Sequence, residues 1–253
     1  MNRTIKQSIY GFFYLVILGA IFYGVYSAWF RPAPSCFNGI RDTGEQGVDC
    51  GGICFNACVP SNISALEISE QPKIFRPMPS SVSVIVQIKN SNPNFAAENF
   101  PYRFFLRDNQ DNVLKEIEGE SFIYALETNR HIAEFNIQFP EASRVAYADF
   151  SIGQPKWVPA SSFSRPELSL QNFNTSNLDN GAQVAGNFVN NGTVTVARAI
   201  VFAVFYNKFG QQAGISKSEV DDVLPGQQRP FLIFHPPIAS LNLSGTKVYL
   251  YGN

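Results

Sequence analysis

All four cysteines of the 253-residue chain lie in one short segment, CFNGIRDTGEQGVDCGGICFNAC, which begins at Cys36 and ends at Cys58. Cysteines can bind zinc, exchange electrons or pair as disulfides. The spacing here is C-x13-C-x3-C-x3-C, and the segment has no histidine. It therefore lacks the two close pairs of a structural zinc site and the C-x-x-C of a thioredoxin-like site. We predict that Cys36, Cys50, Cys54 and Cys58 form two disulfides and bind no metal. All three pairings stay open.

The same segment carries three acidic residues, Asp42, Glu45 and Asp49. Carboxylate oxygens bind Ca²⁺, but these residues do not follow the register of an EF-hand loop. We therefore expect solvated loop acids. Asn38-Gly39 is a turn dipeptide, and a segment this short cannot bury a hydrophobic core, so crosslinks must replace one.

Outside this segment, few residues could do chemistry. We expect the two histidines, His131 and His235, at analogous ends of analogous strands in different domains, partly exposed and too far apart to share a metal. Asp149, Asp221 and Asp222 have no evident partner base. Serine-hydrolase, P-loop and zinc-protease motifs are absent from the sequence. We predict no enzymatic activity, no catalytic residue and no cofactor.

Composition narrows the class of protein and its partners. The formal net charge is -1 and the isoelectric point is about 6.1, so there is no basic field for nucleic acid. The 23 Phe and 10 Tyr, together with Val and Ile, favour β-structure.

The N-terminus contains an uncharged run at residues 9–30, IYGFFYLVILGAIFYGVYSAWF. As a helix, this run would span about 33 Å, enough to cross a hydrocarbon core of about 30 Å. A cleaved signal peptide is the alternative, but its apolar region is shorter and small residues follow it. We predict a cytoplasmic tail at 1–8, a transmembrane helix at 9–30 and a cysteine-rich segment at 31–60.

The orientation of this helix rests on two signals. Arg3 and Lys6 precede the run, while Arg31 and Arg41 follow it, so the positive-inside rule favours a cytoplasmic N-terminus only weakly. Disulfides persist in oxidising compartments, which favours an extracytoplasmic position for everything after the helix. We therefore predict a single-pass protein of the cell membrane, in contact with the lipid bilayer.

Three small residues follow one face of the predicted helix. Ala20, Gly24 and Ala28 are spaced by four in a helix that is otherwise bulky. Small residues at this spacing let membrane helices approach closely. We predict a helix contact there, with either a second copy or another subunit.

From Ser61 onwards, stretches with strand periodicity alternate with turn signals, as in β-sandwiches. The order of strands and turns recurs after about one hundred residues, so that SVSVIVQIKN at 81–90 corresponds to 183–189. This repeat predicts two β-sandwiches, at 61–155 and 165–253, with a linker at 153–166. One larger sandwich or barrel is the alternative. The predicted core residues are Val82, Val84, Val86 and Ile88 in the first sandwich and Val201, Ala203 and Phe205 in the second.

The cysteine segment resembles a short module of secreted and surface proteins, written C-x-N-G, then G-E and D-C-G-G-x-C, then a final Cys. The match covers 36–58. This resemblance implies an extracytoplasmic location and no particular activity.

Residues 168–252 resemble the bacterial FxLYD-type domain, through VAGNFVNNG at 184–192, VFAVFYNKFG at 201–210 and the turn Leu224-Pro225-Gly226. The usual residue between Leu and Pro is missing from that turn. Residues 65–152 are similar to the same group and to water-stress and late-embryogenesis-abundant domains, through KNSNPNF at 89–95. These resemblances imply two tandem immunoglobulin-like β-sandwiches, and hence a mostly β fold class with an N-terminal transmembrane helix and a small disulfide-linked loop segment.

Three functions are compatible with these features. The first is a membrane-anchored extracytoplasmic interaction protein, a scaffold or accessory subunit of a cell-envelope assembly. The second is a binding module for a small apolar or carbohydrate ligand, which requires a pocket lined by aromatic residues. The third, an enzyme, requires a perturbed acid or a metal in a cleft. We expect the first.

Overall fold

The computed structural model describes residues 3–30 and 34–252, with the side chains of Thr4 and Ala28 also outside the description. Its contacts divide the chain into two compact units, Met1–Pro60 and Ser61–Asn253. The first unit holds the helix and the cysteine segment, and the second holds all the β-strands.

The N-terminal unit begins with one helix, α1 (Arg3–Trp29). Its 27 residues span about 40 Å at 1.5 Å per residue. The stretch Ile5–Ser27 has a mean hydropathy of 1.9, and no part of it is buried by the rest of the chain. It is long and apolar enough to cross a membrane. The helix begins before the predicted span, because Lys6 and Gln7 favour helix and extend it towards the N-terminus.

The second unit consists of antiparallel strands, numbered here in chain order. They are β1 (Glu67–Met78), β2 (Ser81–Lys89), β3 (Phe95–Arg107), β4 (Val113–Ile123), β5 (Arg130–Gln138), β6 (Tyr147–Ile152), β7 (Lys156–Pro159), β8 (Leu168–Leu178), β9 (Gly181–Asn190), β10 (Val196–Tyr206), β11 (Gln212–Val223), β12 (Gln228–His235) and β13 (Lys247–Gly252).

The strands form two pairs of sheets with the same topology. In the first pair the strand orders are β1-β2-β5 and β4-β3-β6, and in the second they are β8-β9-β12 and β11-β10-β13. Each strand from β1 to β6 therefore has an equivalent from β8 to β13. The mostly β fold and the repeated sandwich pattern are confirmed, whereas the division at 61–155 and 165–253 stays a prediction.

Four strands were not predicted, namely β1, β7, β8 and β11. Three of them, β1, β8 and β11, are edge strands with polar sequences such as QAGISKSEVDDV in β11. An edge strand buries few side chains and needs little hydrophobic alternation. The fourth, β7, lies inside the predicted linker and pairs with the start of β3, where Phe95 lies opposite Pro159. The linker is therefore shorter than predicted.

Each sheet pair encloses its own hydrophobic core. The predicted core residues are all buried: Val82, Val84, Val86 and Ile88 belong to the first core, and Val201, Ala203 and Phe205 to the second. Large rings fill the remaining space, Phe100 and Phe104 in the first core and Phe188 in the second. The predicted register of β2 and β10 is confirmed.

The central strands β2 and β10 are buried on both faces. Ser83 and Ile85 of β2 are as inaccessible as the core residues between them, and so are Phe202 and Val204 of β10. The prediction of a half-buried strand is therefore wrong for β2. The outward-facing side chains meet in a third apolar cluster, which belongs to both sheet pairs.

A buried asparagine connects the two sheets of each sandwich. Asn90, after β2, donates from Nδ2 to the carbonyls of Phe95 (2.8 Å) and Tyr124 (3.0 Å), at the start of β3 and the end of β4. Asn190 repeats the arrangement, with Nδ2 bonds to the carbonyls of Val194 (2.8 Å) and Val223 (3.0 Å). In each case the side-chain oxygen accepts the backbone N–H two residues later. The asparagine-rich turns are therefore connections between sheets.

The turn after the next strand is also repeated. Oδ1 of Asp108, after β3, accepts the backbone N–H groups of Gln110 (2.9 Å) and Asn112 (3.0 Å). Oδ1 of Asn207, at the equivalent position after β10, accepts those of Phe209 (2.9 Å) and Gln211 (3.0 Å). A carboxylate and a carboxamide perform the same local task.

We expect Asn90→Ala to lower the free energy of unfolding by about 2–4 kcal/mol, because it removes the Nδ2 hydrogen bonds to the carbonyls of Phe95 and Tyr124 and the acceptor for the N–H of Asn92. The control is Asn109→Ala, an exposed turn position where the loss should be within about 0.5 kcal/mol. Urea denaturation followed by circular dichroism measures both. Equal stabilities of the two variants would contradict the bridging role of Asn90.

Candidate functional site

The four cysteines form two disulfides, Cys36–Cys54 and Cys50–Cys58. The prediction of two disulfides is confirmed, and the structure selects one of the three pairings. Cys50 lies within the loop that Cys36 and Cys54 close, so the two crosslinked loops overlap. We call residues 36–58 the knot.

The three acidic residues of the knot accept backbone hydrogen bonds, and one of them, Glu45, is buried. Oε2 of Glu45 accepts the N–H groups of Asp42 (3.0 Å) and Asp49 (3.2 Å). Asp49 accepts those of Asn38 (3.0 Å) and Gly39 (2.8 Å). Oδ2 of Asp42 accepts the N–H of Ser35 at 2.9 Å. The expectation of solvated loop acids is therefore wrong for Glu45, which is buried, whereas Asp42 and Asp49 are half-buried and also accept backbone hydrogen bonds.

One cluster in the knot has the composition of a metal site. Ligand atoms of Cys36, Glu45 and Cys54 lie within 4.8 Å of one another, and Oε1 of Glu45 lies 3.2 Å from Sγ of Cys54. Metals bind cysteine as thiolate. Since these two sulfurs are bonded to each other, they cannot supply thiolates while the disulfide is intact.

In the second unit, the third apolar cluster lies between the two sandwiches. It joins Phe75 and Ile85 of the first sandwich to Phe202, Val204 and Ile215 of the second. The outer face of β1-β2-β5 thus packs against the outer face of β11-β10-β13. Aromatic contacts tighten the packing, since the Phe135 and Phe202 ring centroids lie 5.6 Å apart.

His131 lies inside this interface. Its ring stacks on Phe202 with centroids 5.5 Å apart and lies 4.4 Å from the ring of Tyr249. Nδ1 is 2.6 Å from the hydroxyl of Tyr251, and Nε2 is 3.3 Å from the side-chain nitrogen of Gln87. Burial lowers the pKa of His131 to about 4, so the imidazole is neutral at physiological pH.

Arg130 is a buried cation beside His131. The residue is 2% exposed, and its Nε donates to the carbonyl of Phe122 at 2.8 Å. The guanidinium carbon lies 3.8 Å from the Phe122 ring centroid and 4.5 Å from that of Tyr251. Nη1 is 3.8 Å from a carboxylate oxygen of Glu127 and has no hydrogen-bond partner among the described residues. Burial lowers the pKa of Arg130.

Glu127 connects Arg130 to the linker. Its Oε1 lies 3.2 Å from Nη2 of Arg165, and its Oε2 accepts the backbone N–H of Tyr124 at 3.0 Å. The hydroxyl of Tyr124 in turn donates to the carbonyl of Gly252, at the end of β13. The turn between β4 and β5 therefore contacts both the linker and the second sandwich.

A cavity of about 140 Å³ lies at this interface. Its walls include Arg130, His131 and Phe202, and Lys217 lies at its edge. Both cations already have anionic partners: Arg130 has Glu127, and Lys217 has a Glu219 oxygen 2.6 Å away. The charges are therefore balanced, and the geometry suits a structural contact between sandwiches better than an anion site.

His235 differs from the sequence-based expectation. It ends β12, whereas His131 lies near the start of the equivalent strand β5, so the two histidines occupy opposite ends. His235 is also buried, because Gly214 leaves room for its ring; a Cβ at Gly214 would lie 2.5 Å from Nε2. Its Nδ1 donates to the carbonyl of Pro236 at 2.7 Å, and burial lowers its pKa.

The outer face of sheet β8-β9-β12 carries an open groove of about 830 Å³. The strand register places Asn172, Asn187 and Pro230 in one row, and Asn174 and Leu232 in the next row of the same face. The three carboxamides make no side-chain hydrogen bond to another described residue. The groove therefore offers free amide groups beside apolar surface.

The predicted helix contact lies on the exposed surface of α1. Ala20 and Gly24 are within the helix, and a Cβ added at Gly24 would have no neighbour within 4 Å. The side chain of Ala28 lies outside the described residues. The contact itself stays a prediction.

Sequence reasoning missed the buried charges Glu127 and Arg130 and the aromatic partners of His131. Nothing in the spacing LETNR at 126–130 distinguishes a buried ion pair from a solvated turn. A signal did exist in β10, where AIVFAVFY at 199–206 is continuously apolar. Such a run is typical of a strand buried on both faces.

We expect the β-unit to lose stability as the pH falls from about 6.5 to about 4, because the unfolded chain then binds a proton at His131 that the folded chain excludes. The loss assigned to His131 should be about 2 kcal/mol at about pH 4.5 relative to about pH 7. His131→Gln should flatten this dependence, and His235→Gln is the control for the other buried histidine. Urea unfolding at both pH values measures the difference. An unchanged pH dependence in His131→Gln would contradict the assignment.

No protein-family model matches the chain, and no curated protein matches it significantly. The resemblances to the FxLYD-type, water-stress and cysteine modules therefore stay predictions based on short motifs. What is established is an N-terminal apolar helix, a segment closed by two disulfides and a β-unit of two packed sheet pairs.

Proposed function

We propose that the chain is a single-pass membrane protein whose β-unit lies outside the cytoplasm and serves as a non-enzymatic interaction scaffold, an accessory subunit of a cell-envelope assembly. The observation that carries this proposal is the helix α1. Its stretch Ile5–Ser27 has a mean hydropathy of 1.9, carries no charge after Lys6, and is not buried within the chain. A helix that is apolar all round requires an apolar environment.

The disulfides support the extracytoplasmic side. All four cysteines of the chain are oxidised, and disulfides persist in oxidising compartments. The knot follows α1 directly, so the same side of the membrane would hold the second unit.

The β-unit supports a role in binding rather than catalysis. Its titratable groups with lowered pKa values, Asp108, Arg130, His131 and His235, are occupied by packing, hydrogen bonding and ion pairing. The edge strands of its sheets, such as β4 and β8, offer unpaired backbone groups to a protein partner. FxLYD-type and water-stress domains, which the sequence resembles, are likewise not defined by a catalytic residue.

The groove on sheet β8-β9-β12 favours a second candidate function, binding of a carbohydrate. Carboxamides such as Asn172 and Asn187 can pair with sugar hydroxyls, and Pro230 and Leu232 offer apolar contact to the sugar ring. Binding of an oligosaccharide by the full chain, abolished by Asn187→Leu, would favour this candidate over a pure scaffold.

Orientation can be tested with single added cysteines, since the native cysteines are all in disulfides. We expect Phe209→Cys, at an exposed turn of the second unit, to react with a membrane-impermeant maleimide on intact cells. Gln7→Cys, before the uncharged run, should react only after the membrane is opened. The reverse pattern would overturn the proposed orientation.

Assembly through α1 can be tested at Gly24. We expect Gly24→Ile to keep membrane insertion, because isoleucine is as apolar as the span requires, but to reduce association at least tenfold by filling the close-contact face. Val25→Ile, on a neighbouring face, is the control. Crosslinking and affinity purification from mild detergent measure association. If both variants assemble like the wild type, α1 does not carry the contact.

A further inference from the structure

The knot exposes its large apolar side chains and buries the carboxylate-bearing residue Glu45. Its only residues classed as buried are Glu45 and Cys54. Its large apolar side chains are all exposed, from 51% for Ile40 to full exposure for Phe55; the others are Phe37, Val48 and Ile53. In a water-soluble domain the opposite arrangement is the rule.

Hydrogen bonds from backbone N–H groups to carboxylates help to stabilise the knot. Asp42, Glu45 and Asp49 each accept at least one backbone N–H within the first unit. The disulfides replace the hydrophobic core. The exposed apolar side chains therefore do not form a hydrophobic core within the knot. Exposed apolar surface of this kind marks a contact with a membrane or a protein.

We propose that the knot lies in the interfacial layer of the bilayer that α1 crosses, with Phe37 and Phe55 inserted among the lipid headgroups and upper acyl chains. This inference rests on the proposed membrane anchor. Exposed apolar side chains are stabilised by an environment of low polarity, and the hydrogen bonds to Glu45 and Asp49 satisfy four backbone N–H groups of the knot there. Aromatic side chains favour the interface in particular.

The position of the knot in the chain favours lipid over a protein partner. Phe37 follows the end of α1, at Trp29, by eight residues. Even fully extended, that length reaches only about 28 Å. The interfacial layer adjoins the hydrocarbon core over roughly 5–8 Å on each side. Phe37 therefore stays within about 28 Å of the end of α1, a range that includes the interfacial layer.

The charge of the knot specifies the kind of lipid contact. Between Cys36 and Cys58 there is one basic residue, Arg41, against three acidic residues. Attraction to anionic headgroups therefore does not hold the knot, and a zwitterionic bilayer is sufficient. The contact is apolar and should be insensitive to salt, because screening acts on charges.

The test uses the full chain in nanodiscs of zwitterionic lipid with brominated acyl chains. Trp157→Phe and Trp29→Phe remove the native fluorophores, and Phe55→Trp or Phe209→Trp adds one probe. Phe209 is 82% exposed in the second unit and is the matched control. A thiol assay that finds no free cysteine verifies that the knot is intact.

We expect the probe of Phe55→Trp to be quenched by bromolipid at least threefold more than that of Phe209→Trp, and to be correspondingly protected from aqueous acrylamide. High salt should leave this difference unchanged. Equal acrylamide quenching at both positions would place the knot in water and overturn the proposal. Protection of the Phe55→Trp probe from both quenchers would show that a protein surface covers the knot, and would also overturn it.

A separate measurement tests whether α1 lies in the bilayer at all. With Trp157→Phe alone, the remaining Trp29 reports on the end of α1. If bromolipid does not quench Trp29, or the chain does not elute with the nanodiscs, the anchor itself is wrong. If Trp29 is quenched and the probe of Phe55→Trp is not, only the position of the knot is wrong.

Discussion

The second unit depends on the burial of β2 and β10 on both faces. Inside each sandwich these strands supply core residues such as Val84 and Val201, and outside they supply Ile85, Phe202 and Val204 to the cluster that joins the sandwiches. The same two strands therefore hold both cores and the interface. Since the outer faces pack against each other, the sandwiches form one compact unit, in which Arg130 is buried and His131 is half-buried at the interface.

The backbone N–H and carbonyl groups of the two units find their hydrogen-bond partners in different ways. In the second unit the sheet ladders satisfy most backbone groups, and Asn90 and Asn190 satisfy those where the chain crosses between sheets. The knot has one isolated bridge, between Gly47 and Cys50, and its carboxylates share this task with backbone hydrogen bonds such as that from the N–H of Ile53 to the carbonyl of Gly44. A buried polar group is stable only when paired. Each unit therefore places Asn, Asp or Glu where regular structure ends.

These arrangements bear directly on the proposed function. The titratable residues that sequence inspection singles out, the cysteines, the knot acids and the histidines, are all engaged in maintaining structure. The surfaces left without a partner are the apolar helix, the outward side chains of the knot and the groove on sheet β8-β9-β12. These exposed surfaces and occupied titratable groups support the proposal that the protein acts by binding, with the bilayer at α1 and a protein partner at the β-unit.

The sequence by itself determined the features that depend on local pattern. The length of the uncharged run predicted the helix, and the spacing of the cysteines predicted two disulfides. The alternation of apolar and polar residues in SVSVIVQIKN predicted the register of β2. Polar edge strands such as β8 and β11 were missed, because one-sided pairing leaves little hydrophobic pattern in a strand. Only the tertiary structure decided that Cys36 pairs with Cys54, that Glu127 and Arg130 are buried, and that Ile85 faces another sandwich. Each of these depends on residues distant in sequence, and burial is a property of what packs against a side chain, which local spacing does not encode.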